Sequence, residues 1–78
     1  MIAVGIDVAK SKSMVAILSD DGEIIKNPFE IANTESGLEY LCSVIGEFTD
    51  EVYCVVESTS VYHFPVVSYL QENNIFVS

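Results

Sequence analysis

The sequence predicts an α/β domain built on one mixed sheet, with elements in the order β-β-β-α-β-α-β. Three observations carry this expectation. Three β-rich runs follow one another before position 32, joined by links too short for the crossover that parallel pairing requires. Leu38, Leu41, Cys42 and Ile45 recur at helical spacing. A further apolar run, Val52 to Val56, then stands between that helix and a second helical stretch, so that strand and helix alternate as they do in layered α/β domains.

Ile2 to Val8 is almost wholly apolar, which predicts a central strand buried on both faces, interrupted by Asp7. Ser13 to Leu18 is the second strand. Ser19-Asp20-Asp21-Gly22-Glu23 follows it, and Asp-Gly between two apolar runs is a strong hairpin signal. Ile24 to Ile31 completes an antiparallel meander. Asn33 and Thr34 are good N-cap residues for the first helix, Glu35 and Glu39 suit its positive end, and it should end near Gly46 to Phe48. Val52 to Glu57 is again apolar on both faces and predicts a buried fourth strand. Ser58, Thr59 and Ser60 are each able to cap a second helix, and Pro65 confines its start to between Ser60 and Phe64. That helix should run to Asn73. Ile75 to Ser78 begins a fifth strand, read as truncated. Setting the two most evenly buried strands side by side and parallel puts the fourth next to the first, with the second and third on one edge and the fifth on the other.

Composition bounds the function. With 78 residues the chain is one small domain or part of a larger one, and 50% apolar against 19% charged residues suffices for a packed core. Three lysines and no arginine stand against twelve acids, for a formal charge of −9. A field of that sign repels phosphate backbones unless cations intervene, so the chain alone should not bind nucleic acid. Cys42 and Cys54 form neither a disulfide framework nor a C-x-x-C pair and read as small core residues. No basic leader precedes Asp7 and no apolar run reaches the roughly 18 residues of a membrane helix, which predicts a reduced, cytoplasmic protein.

Asp7 and Glu57 are the acids that lie within or end the two strands placed at the sheet centre, while the other ten fall in turns and on helix faces. If those strands are neighbours, about 4.8 Å apart, the two carboxylates converge near the carboxyl ends of the strands, where open α/β sheets bind ligands. Crowded carboxylates repel, and their hard oxygens suit Mg²⁺ or Mn²⁺. The plainer alternative is that Asp7 caps a local turn and Glu57 the following helix. Lys10 and Lys12 follow Asp7 closely enough to meet a phosphate beside such a metal, or are solvated loop lysines. His63 lies within reach of a proton-transfer role, or is simply packed; Tyr62 and Phe64 read as core or rim residues of the second helix.

Three segments taken together, Val4-Gly5-Ile6-Asp7-Val8-Ala9-Lys10, Asn33-Thr34-Glu35-Ser36-Gly37-Leu38 and Val56-Glu57-Ser58-Thr59-Ser60-Val61-Tyr62-His63, resemble the N-terminal domain of DEDD-type insertion-sequence transposases. That group includes the Piv-type DNA invertases and has an RNase H-like (RuvC-like) catalytic domain. The resemblance implies that residues 1–78 are the N-terminal part of that domain, with Asp7 and Glu57 the first two acids of the DEDD set, ligating Mg²⁺ for DNA strand breakage and joining. It implies DNA contacts for Lys10, Lys12 and Thr59, and DNA and guide RNA as partners of the full-length enzyme. The two later aspartates and the C-terminal domain with its serine lie outside these residues. The chain departs from the family at Ser60, where Gly often stands, so that Ser60 either shifts this loop or caps the helix.

The opening meander also resembles actin-like sugar kinases, whose phosphate loop needs glycine and small hydroxyl residues where Val8-Ala9-Lys10 stands. An ATP-binding fragment of that type is the second reading, and a non-catalytic acidic module that binds protein the third. The unpaired edge of the fifth strand further suggests a homo-oligomer.

Overall fold

A computed structural model describes residues 1–58 and 61–77, and every expected element is present in it. In chain order they are β1 (Ile2–Val8), β2 (Lys12–Ser19), β3 (Ile24–Ala32), α1 (Glu35–Ile45), β4 (Val52–Ser58), α2 (His63–Glu72) and β5 (Phe76–Val77). The sheet order is β3-β2-β1-β4-β5, the arrangement expected from the sequence. β1 pairs antiparallel with β2 and parallel with β4, β2 pairs antiparallel with β3, and β4 pairs parallel with β5.

Local chemistry sets the connections. In the β2–β3 turn the Gly22 N–H donates to the Ser19 carbonyl at 3.0 Å and the Ser19 N–H to the Glu23 carbonyl at 2.9 Å. Gly22 takes φ 81°, a left-handed conformation that side-chain-bearing residues resist. Pro28 lies in β3 at the sheet edge, where a missing N–H costs least. α2 holds Pro65 in its first turn, and Asn74 at φ 62° turns the chain out of that helix, with the Ile75 N–H donating to the Leu70 carbonyl at 3.0 Å.

Two capping expectations need correction. Thr34 alone caps α1, its hydroxyl accepting from the Gly37 N–H at 3.2 Å. Asn33 is engaged elsewhere, as described below. α2 has Tyr62 at its N-cap with no side-chain capping bond, and Ser58 is the last residue of β4. Thr59, Ser60 and Ser78 lie outside the described residues.

A larger correction concerns burial. The even-numbered residues of β1, Ile2, Val4, Ile6 and Val8, are buried, whereas Gly5 and Asp7 are exposed. Cys54 in β4 is buried and Val55 exposed. The reason is that α1, through Leu38, Leu41, Val44 and Ile45, and α2, through Val66 and Leu70, join a single core on one side of the sheet. The strands therefore have one covered face and one open face, although apolar residues occupy both. Cys54 is fully buried and Cys42 half-buried, in keeping with their reading as core residues. Among the described residues no helix is long and apolar enough to cross a membrane.

Candidate functional site

Asp7 and Glu57 are register partners: β1 and β4 run parallel with Asp7 directly opposite Glu57, as Ile6 is opposite Val56 and Gly5 opposite Val55. In-register residues of neighbouring strands point to the same side, here the open face, from backbones about 4.8 Å apart. Each acid is the penultimate residue of its strand, so both stand at the carboxyl end of the sheet. Both are exposed. On the other side of Asp7, Met14 is its antiparallel partner.

Two recesses meet at this pair. One, of about 320 Å³, runs down the open face and is lined by Gly5, Asp7, Met14, Ala16, Val55 and Glu57 among others. The second, of about 500 Å³, lies over the strand ends and is lined by Asp7, Val56, Glu57, Ser58 and His63. His63 therefore shares a recess with both carboxylates, and its ring rests against Phe64 at 4.2 Å between centroids. Among the described residues no third His, Cys, Asp or Glu joins the two acids closely enough to form a larger metal-binding group.

No local capping role is seen for either carboxylate among the described residues. Among the described residues neither side chain has a hydrogen bond or ion pair. The turn after Asp7 is closed without it: the Ala9 N–H donates to the Lys12 carbonyl at 3.0 Å. Asn33 does the rest. Its amide Nδ2 donates to the Ala9 carbonyl at 2.9 Å, its backbone N–H donates to the Ser11 carbonyl at 3.0 Å, and its Oδ1 accepts from the Ser13 hydroxyl at 2.6 Å. Ser13 is 1% exposed, so this bond satisfies an otherwise buried hydroxyl. Asn33 thus fixes the loop beyond Asp7, a role the sequence reading missed because a helix cap was the simpler use for an Asn at that place.

The start of α1 is held to the same region by close contact. A Cβ on Gly37 would collide with the Ala32 carbonyl group, so only glycine lets the helix sit against the end of β3. The motif Asn33-Thr34-Glu35-Ser36-Gly37 accordingly supplies a loop brace, a cap and a close approach in five residues.

The lysines are placed differently from one another. Lys10 is exposed in the turn beyond Asp7. Lys12 begins β2 and pairs with Glu30 at 3.3 Å, both side chains being more than half exposed. Glu30 is thus an acid of the edge strand β3, not of a turn or helix as expected. Thr59 lies outside the described residues.

A family model for IS110-type DEDD transposases matches residues 4–78, nearly the whole chain. The chain belongs to the IS110-type DEDD transposase family. Its fold is accordingly the RNase H-like one, with the five-stranded mixed sheet and two helices described above. No curated protein sequence gives a significant match. Among solved structures, a ROK family glucokinase from Streptomyces griseus, in complex with glucose and AMPPNP, is similar with TM-score 0.60 at 15% identity. Pelota from Archaeoglobus fulgidus is similar with TM-score 0.62 at 16% identity. The transposase-family chain is covered to 99% in both, but spans 32% of the glucokinase chain and 26% of the Pelota chain. At such identities the likeness is one of fold.

Proposed function

We propose that this chain is the amino-terminal part of a transposase catalytic domain in which Asp7 and Glu57 hold a divalent metal for DNA strand cleavage and joining. The observation that supports this most is their pairing. Two carboxylates stand side by side on the open face, at the carboxyl ends of neighbouring parallel strands, with no described protein partner to neutralise them. Four hard oxygens so placed fit Mg²⁺ or Mn²⁺. A cation there supplies Lewis-acid activation of an attacking oxygen and charge stabilisation of the leaving one.

The chain's own residues have narrower tasks. Asp7 and Glu57 bind and orient through backbones locked in register, the sheet limiting how far either can drift. Exposed Lys10 offers a charge to a phosphate next to the pair, Lys12 begins the neighbouring strand at the same end of the sheet, and Thr59, which follows Ser58 in the sequence, is assigned to the same contact. Guide RNA belongs to this reading as a partner of the full-length enzyme. A phosphate loop of the sugar-kinase kind has less support, since Val8-Ala9-Lys10 follows Asp7 in place of glycine and small hydroxyl residues.

The test uses the protein that carries this chain. Asp7→Asn and Glu57→Gln keep shape but remove the anionic ligands, and each should lower Mg²⁺-dependent strand cleavage by on the order of a thousandfold, as loss of a central electrostatic group does. The circular dichroism spectrum should be unchanged. Cleavage at the parental rate in either variant rejects the metal reading, and saturable ATP binding without cleavage replaces it with the kinase one.

A further inference from the structure

The charge of this domain is polarised along the strands. Asp20, Asp21 and Glu23 sit in the β2–β3 turn, Glu47, Asp50 and Glu51 between α1 and β4, and Glu72 at the end of α2. All of these lie at the end of the sheet where β1 and β4 begin, since Ile2 is in register with both Ser19 and Val52. The opposite end is built otherwise. The chain carries no acid from Val8 to Ser19 or from Ser58 to Gln71, and these two runs begin immediately after Asp7 and Glu57. Besides those two, the acids at the carboxyl end are Glu30, which Lys12 neutralises, and Glu35 in the first turn of α1, with Glu39 one turn further along that helix. The charge of −9 therefore repels a polyanion mainly from the far end and leaves the end that holds the carboxylate pair accessible.

The second acid-free run presents aromatic surface there. Val61 is 62% exposed, Tyr62 40% and Phe64 59%, although these residues enter an amphipathic helix whose Val66 and Leu70 are fully buried. The Phe64 ring lies against the His63 ring, tilted by 35°, and Pro65 stiffens the backbone after it. His63 lines the recess shared by Asp7 and Glu57, so the Phe64 ring lies one side chain away from that recess, and Tyr62 immediately precedes His63 in the chain. Flat, rigid, exposed aromatics beside an acid-poor entrance suit the π-face of a nucleobase.

We propose that Tyr62 and Phe64 stack on an unpaired base of the DNA strand whose phosphate is brought to Asp7 and Glu57. This rests on the reading of those two acids as a DNA-processing site and adds the state of the substrate: a strand locally unpaired next to the reacting phosphate. Stacking of this kind is sequence-tolerant, because every base offers a π-face. Tyr62 and Phe64 act as positioning residues.

The experiment measures binding without catalysis. The protein carrying this chain is titrated, in EDTA, with a single-stranded oligodeoxynucleotide containing 2-aminopurine, whose fluorescence falls on stacking. Tyr62→Ala and Phe64→Ala should each weaken binding by roughly tenfold and reduce the quenching, in line with the usual worth of one base–aromatic stack. Tyr62→Phe and Phe64→Tyr should restore both. Phe76→Ala removes a ring that is 68% exposed at the acidic end and should change neither. The proposal is overturned if neither alanine variant alters quenching, if Phe76→Ala alters it equally, or if only RNA or fully paired DNA is bound. Strand cleavage by Asp7→Asn reports separately on the metal reading, so either can fail while the other stands.

Discussion

On the helix-covered face of the sheet Val4, Ile6, Val15, Ile17 and Cys54 are buried, while one residue along the same strands Gly5, Asp7, Met14, Val55 and Glu57 stay exposed. Both faces draw largely on apolar residue types. What separates them is where α1 and α2 pack, and the contrast teaches that an apolar strand does not announce which of its sides is core. The covered face carries stability. The open face carries the two carboxylates, and among the described residues no hydrogen bond depends on them.

Substitutions at equivalent depth should divide along that line. On the covered side Leu41→Ala empties a fully buried site between α1 and the sheet and should cost about 3 kcal/mol in denaturant unfolding. A loss below about 1 kcal/mol would mean that the two faces differ less than their burial indicates. Next in size is Asn33→Ala, which leaves the Ser13 hydroxyl buried without its acceptor and the Ala9 carbonyl without its side-chain donor, for about 2 kcal/mol. The double variant Asn33→Ala/Ser13→Ala should recover part of this, which a double-mutant cycle reads directly.

A smaller effect follows from the Cys54 thiol. Burial, with a contribution from the neighbouring Cys42, pushes it from an ordinary 9.0 up to about 12. The folded state keeps this proton where the unfolded chain gives it up, so the stability tied to it is fully present below pH about 9 and falls as the pH rises toward about 12. Unfolding free energy followed across that window should decline less steeply in Cys54→Ala than in the parent chain, and equal slopes would contradict the assignment. The smallest effect is expected on the open face. Val55→Ala, one strand position from Cys54, should change stability by no more than about 0.5 kcal/mol. A large loss there would show that the face is covered in solution.

Much of this was legible from residue order. The Asp-Gly turn, the 38, 41, 45 spacing of α1 and Pro65 in the first turn of α2 each report a local backbone preference, and local preferences survive into the fold. The neighbouring of β1 and β4 followed from their matching apolar character, and with it the juxtaposition of Asp7 and Glu57. Besides the one-sided burial of the strands, three things were not legible. Asn33 has a chemistry equally suited to a helix cap and to a loop brace, and only the proximity of Ala9 and Ser13 selects the second. The ion pair of Lys12 with Glu30 depends on the β2–β3 register, which shifts twice along its length. Tyr62 and Phe64 read as rim or core until the packing of α2 through Val66 and Leu70 turned them outward.

By itself the sequence determined the elements, their order and the two acids worth following, because turn geometry, helical periodicity and a charge set in an apolar run are properties of near neighbours along the chain. Only the tertiary structure decided that both helices lie on one side, that the carboxylates share the other, and that the acidic charge gathers at the far end. Those facts depend on register and packing between segments some fifty residues apart, where the free energy of burying one face is settled by the whole sheet at once.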